Sequence, residues 1–157
     1  MQLEHEVTTG AELEGRTMRW QELGERIVLV HAAITIDDAE WNTYAALTLN
    51  RRPVGTLVLV PPGCPGPNAD QRRSLSDAVK RAGEPPIAII THSPLHRHMI
   101  TAMNWLSGGS MRAFSPDEID AACEYGGFTG GAKAEALALA GRFTRQLGIA
   151  MHFPHLR

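Results

Sequence analysis

Residues 86–106 read Pro86-Ile87-Ala88-Ile89-Ile90-Thr91-His92-Ser93-Pro94-Leu95-His96-Arg97-His98-Met99-Ile100-Thr101-Ala102-Met103-Asn104-Trp105-Leu106, and residues 111–122 read Met111-Arg112-Ala113-Phe114-Ser115-Pro116-Asp117-Glu118-Ile119-Asp120-Ala121-Ala122. Ile87 to Ile90 has no polar break, which fits a strand buried on both faces. Ser93-Pro94 starts a helix, with Ser as N-cap and Pro at the first helical position. Leu95, Met99, Ala102, Met103 and Leu106 share one face of that helix and are its expected inner side. Gly108-Gly109 ends it. Met111 to Phe114 is a second short strand, and Ser115 to Glu118 opens another helix with a capping box. Strand, helix, strand, helix at this spacing is a parallel βαβ unit with helical cover.

Upstream, Thr17 to Leu23 and Arg26 to Ala33 flank Gly24-Glu25 and predict a hairpin with a glycine-led two-residue turn. Asp37 caps a helix whose Trp41, Tyr44, Ala45 and Thr48 recur at helical spacing and form its inner face. Thr56 to Val60 is a third apolar strand. It runs into Pro61-Pro62-Gly63-Cys64-Pro65-Gly66-Pro67, a loop stiffened by its prolines. Asn68 to Gln71 supplies a capping box for a helix burying Leu75, Ala78, Val79 and Ala82. After Gly130-Gly131, Ala132 to Leu147 is an Ala-rich helix closed by Gly148. Residues 1–16 are acidic and weakly patterned, as in an arm or edge strand.

The chain has 157 residues, a size that suits one domain with a full core. Its hydrophobic share of 43% and charged share of 20% are ordinary for a soluble globular protein. A net charge of −2 gives no field to attract nucleic acid or acidic lipid. Cys64 and Cys123 match no zinc spacing or disulfide framework, so free thiols in a reducing compartment are expected. No apolar run reaches the ~18 residues of a membrane span. No membrane insertion is expected, and the bacterial cytoplasm is the expected location.

The order β-β-α-β-α-β-α-β-α plus a C-terminal helix resembles the STAS fold, the family of sulfate-transporter cytoplasmic domains and anti-sigma-factor antagonists, in its SpoIIAA-like branch. Gly24 to Val30 is similar to that fold's opening hairpin, Ala33 to Trp41 to its strand-to-helix passage, and Ile87 to Phe114 to its late strand, Ser-Pro helix and final strand. The resemblance implies an α/β fold with a mixed sheet, an N-terminal hairpin and covering helices over residues 17–126. It leaves an arm at 1–16 and an extra C-terminal helix and tail at 127–157. It also implies a non-catalytic regulator that binds a protein partner, often an anti-sigma factor, switched by phosphorylation at the helix after the third strand. Here that helix start, Pro67 to Gln71, holds no Ser or Thr. The implied partner surface comprises Cys64, Asn68, Asp70, Gln71, Arg72, Arg73 and His92.

Other readings of these residues are plainer. His92, His96 and His98 invite a metal hypothesis, with zinc suited by two ligands at i, i+4. However, Ser93-Pro94 starts the helix after His92, His98 falls near the expected buried face, and no Cys or carboxylate is near in sequence. No metal or cofactor is therefore expected. The Pro61 to Gln71 loop ends at a helix N-terminus, where backbone N–H groups can hold phosphate. Its prolines remove donors and there is no Walker-type Lys-Ser/Thr pair, so a rigid structural loop is the simpler reading. Cys64 with His31 or His92 as base would be needed for thiol chemistry, and the sequence shows no such meeting. Arg72, Arg73, Lys80 and Arg81 read as a solvated helix face.

Two functions are thus carried forward. One is a non-catalytic regulator or adaptor docking a protein through Pro61 to Arg73. The other is a small-ligand or lipid-binding module of the same fold, favoured by a pocket between the Trp41 helix and the C-terminal helix. An enzyme ranks third, because no acid–base pair or nucleophile is legible. The C-terminal helix is apolar nearly all round, which suggests a homodimer through its Ala- and Gly-rich side.

Overall fold

A computed structural model describes residues 17–107 and 109–149. The expectations for the arm at 1–16, for Gly108 and for the side chains of Met103, Trp105 and Leu106 lie outside the described residues. The sheet has five strands: β1 (Met18–Leu23), β2 (Arg26–His31), β3 (Gly55–Val60), β4 (Ile87–Thr91) and β5 (Met111–Phe114). They lie side by side in chain order, β1 antiparallel to β2 and the rest parallel. The helices are α1 (Asp38–Arg51), α2 (Ala69–Arg81), α3 (Pro94–Ser107), α4 (Ile119–Tyr125) and α5 (Gly130–Gln146). The α/β class, the opening hairpin and the extra C-terminal helix all stand as the sequence reads them.

Local chemistry explains the element boundaries. Leu23 pairs with Arg26, so Gly24 and Glu25 are the whole turn, and Gly24 supplies the positive φ of 61° that such a turn needs. The Asp37 carboxylate accepts from Glu40 N–H and caps α1. At α2, Asn68 Oδ1 accepts from Gln71 N–H while Gln71 Oε1 accepts from Asn68 N–H, a complete capping box. Ser93 Oγ accepts from His96 N–H at the start of α3. The Ser115 box opens with a 3-10 turn at Pro116–Glu118 before α4 begins.

Alternation along the strands divides the core in two. Val28, Val30, Leu57, Leu59, Ala88 and Ile90 face α4 and α5. Ile27, Leu29, Val58, Val60 and Ile87 face the other way, toward α1 and α2. With strands in consecutive order, right-handed crossovers put α1, α2 and α3 on one face of the sheet. The layers come close where Gly55 passes Gly126, since a Cβ on Gly55 would come within 1.8 Å of the Gly126 carbonyl oxygen.

Two expectations about helix faces meet different outcomes. In α5 the Ala136, Leu139, Ala140 and Phe143 side is buried, Ala134 and Ala138 are exposed, and Gly141 is buried. In α3 the described members of the expected inner stripe are displaced: Leu95 is 66% and Met99 45% exposed, and Ala102 is exposed as well. His96 and Ile100, one position further along, turn inward instead. The reason is the anchoring of the helix start. Ser93 caps it, and the Arg97 guanidinium donates to the Thr91 carbonyl at 2.7 Å, which fixes the rotation against apolar periodicity.

Candidate functional site

A cavity of about 140 Å³ lies under α3, on the face of the sheet that α1 and α2 cover. Its floor is Val58 and Val60 of β3, Ile87 and Ile89 of β4, and Met111 of β5. Leu75 and Arg72 of α2 form one wall, and His96, Met99 and Ile100 of α3 the other. Trp41 and Tyr44 of α1 and His31 at the end of β2 close the inner side, and Pro65 to Pro67 border the mouth. The half-buried state of Ile89, next to fully buried neighbours in the same strand, follows from this unfilled space.

This place differs from the one that the sequence suggests for a pocket. The Trp41 helix and the C-terminal helix pack on opposite faces of the sheet, so no groove between them is formed. The space arises instead because α3 is held by polar ties at both ends. Arg97 reaches back to Thr91, and Asn104 Oδ1 accepts from Met111 N–H at 3.0 Å. Between these ties Met99 and Ile100 are the described apolar side chains of α3 that line the space.

The polar groups on the cavity wall have distinct states. His31 is 4% exposed, its ring stacks on Trp41 with centroids 6.0 Å apart, and its Nδ1 has no hydrogen-bond partner. Burial pushes its pKa down to about 4, so it is a neutral imidazole. The Tyr44 hydroxyl is buried next to Thr48, yet neither oxygen reaches hydrogen-bonding geometry, and burial pushes the phenol well up. Arg72 keeps its place through Nη1, which donates to the Pro67 carbonyl at 2.7 Å.

The predicted site residues separate into two groups. Arg72 lines the cavity. Asp70 and Arg73 are exposed and pair with each other at 2.9 Å, and His92 is half-buried between β4 and α3. Asn68 and Gln71 are committed to the α2 cap. Gln71 is also buried, with Nε2 donating to the Ile36 carbonyl and to Asp38, while its own carbonyl accepts from the Trp41 indole. These bonds tie the start of α2 to α1. Cys64 is buried, and that burial raises its thiol, partly offset by the Gly66 backbone N–H. Neither Gln71 nor Cys64 therefore presents its side chain to a surface partner.

Thr91, Ile89, Ile100 and Met111 are cavity residues that the sequence does not mark. His31 carries the one legible signal, a lone polar residue ending the apolar run Ile27 to Val30. The arrangement can enclose an apolar body and offer it neutral hydrogen-bonding groups and one guanidinium. The chain matches no protein-family model, no curated protein and no solved structure. No helix among the described residues is long and apolar enough to cross a membrane.

Proposed function

We propose that this protein is a non-catalytic binding module of STAS-like architecture that holds a small, largely apolar molecule beneath α3. The observation that carries the reading is the cavity of about 140 Å³ with buried polar groups that lack partners. Interiors are normally packed to crystal density, so space of this size is uncommon without use. A cavity of about 150 Å³ lined by aliphatic and aromatic side chains is large enough for benzene. Unsatisfied buried donors and acceptors cost free energy, and a ligand that meets them recovers part of it. The neutral His31 and the raised Cys64 thiol support binding over catalysis, since neither is poised near neutral pH for proton transfer or nucleophilic attack. The two free thiols support a cytoplasmic setting.

Thermal unfolding with added toluene tests this directly. A ligand that binds the folded state raises the midpoint in step with its concentration. We expect such a rise for the native chain and its loss in Ile89→Trp, which fills the space. An unchanged midpoint across the toluene series would refute the reading.

Docking of a protein partner is the second reading. Leu95 and Met99 favour it, because they lie one helical turn apart on α3 and are both exposed. Met99 also lines the cavity, so occupancy and docking would meet at one residue.

A further inference from the structure

The polar groups of the cavity are not spread evenly. His31 ends β2, Thr91 ends β4, and Arg72 and His96 lie in the first turns of α2 and α3, which follow β3 and β4. In a parallel arrangement all four belong to the carboxyl end of the strands. Val58, Ile87, Ile89 and Met111 carry the lining away from that end, and Ile87 and Met111 are paired at the opposite end of the sheet. The cavity is therefore polar at one end and apolar at the other.

Its charge is equally specific. Among the described lining residues Arg72 has the one permanent charge, and no Asp or Glu lines the space. A single half-buried guanidinium balances one negative charge. A phosphate, near −2 at neutral pH, would leave charge unmatched in an apolar wall. A carboxylate fits the fork of Arg72, whose Nη1 is already turned to the Pro67 carbonyl and so holds the group in place. The unpartnered Nδ1 of His31, in a ring 4% exposed, is a further buried polar atom on the wall that a bound polar head can satisfy.

We infer that the ligand is a small amphiphilic monocarboxylate, with its head among Arg72, His31 and Thr91 and a ring-sized apolar body over Ile89 and Met111. The inference rests on the ligand-binding reading above and narrows it to one chemical class. It requires no conversion of the ligand.

Calorimetric titration of the full chain with three probes of similar body tests it: benzoate, benzyl alcohol and toluene. One charge-assisted hydrogen bond predicts benzoate about tenfold tighter than benzyl alcohol. In R72M the ratio of benzoate to benzyl alcohol affinity should fall to about one, since the two probes share an apolar body and only the carboxylate engages the guanidinium. The melting temperature of R72M checks that it folds. If it does not, benzamide, the neutral isostere of benzoate, titrated into the native chain should bind about tenfold more weakly than benzoate, and equal affinities would overturn the inference. Toluene binding without preference for benzoate would overturn this inference and leave the pocket reading intact. No binding of any of the three would overturn both.

Discussion

The indole N–H of Trp41 donates to the backbone carbonyl of Gln71 across 2.7 Å, and both residues are buried. This bond joins α1 to the first turn of α2 beside the cavity. Its net worth is about 1 kcal/mol, and the donor's removal also leaves smaller volume in the core. Trp41→Phe should therefore lower stability by about 1–3 kcal/mol. Gln71→Ala removes half of the capping box and two side-chain bonds, and should cost a similar amount. Denaturant midpoints of both variants check this, and two unchanged midpoints would contradict it.

His31 makes stability depend on pH. Its pKa falls from 6.5 to about 4 on folding, because burial disfavours the charged ring. Between those values the unfolded chain binds more protons than the folded one, so stability rises with pH. The contribution is complete above about 6.5 and lost as pH falls toward 4, a change on the order of 3 kcal/mol. Urea unfolding of the native chain and His31→Phe at pH 7 and pH 4.5 isolates it from the carboxylates. The native chain should lose more stability on acidification than the variant. Equal losses would contradict the buried neutral imidazole.

Much of the fold is legible because its signals are local. The Asn68–Gln71 box, the Gly24 turn and the inner face of α1 at Trp41, Tyr44, Ala45 and Thr48 each depend on a few adjacent residues, and each is found as read. The face of α3 is not legible in that way. Its apolar spacing points to Leu95 and Met99, while its actual rotation depends on Arg97 reaching Thr91 and Asn104 reaching Met111. Such ties between elements leave no periodic trace. The cavity is hidden for the same reason, since its lining is brought together from β2, β3, β4, β5, α1, α2 and α3. Of the residues read as a partner surface, Arg72 alone enters the cavity lining, because capping residues and surface residues follow one another along the same turn.

Gly55 is fixed by packing between layers. A methyl group there would collide with the Gly126 carbonyl, a backbone atom held by the Gly126 N–H bond to Ala122. Gly55→Ala should destabilise by about 3 kcal/mol or more, the upper range for overpacking. Gly83→Ala meets no atom within 4 Å but sits at φ 92°, so its cost is strain alone and should be smaller. Comparison of their melting temperatures checks the order, and a milder effect at Gly55 would contradict it.

Both thiols should be slow to react in the folded chain. Cys64 and Cys123 are buried, and desolvation raises both, Cys123 to about 11. An aromatic disulfide reagent at pH 8 should label neither within minutes and label both after denaturation. Rapid labelling of native Cys64 would show that the Pro61 to Pro67 loop opens.

The central claim is that the space beneath α3 receives a ligand. Methyl-labelled protein titrated with toluene and followed by NMR reports on that place directly. The account predicts saturable shifts at Val58, Ile89, Ile100 and Met111, with Leu139 on the opposite face of the sheet unmoved. Shifts confined to Leu139 and its neighbours, or none at saturation of the aqueous phase, would contradict it.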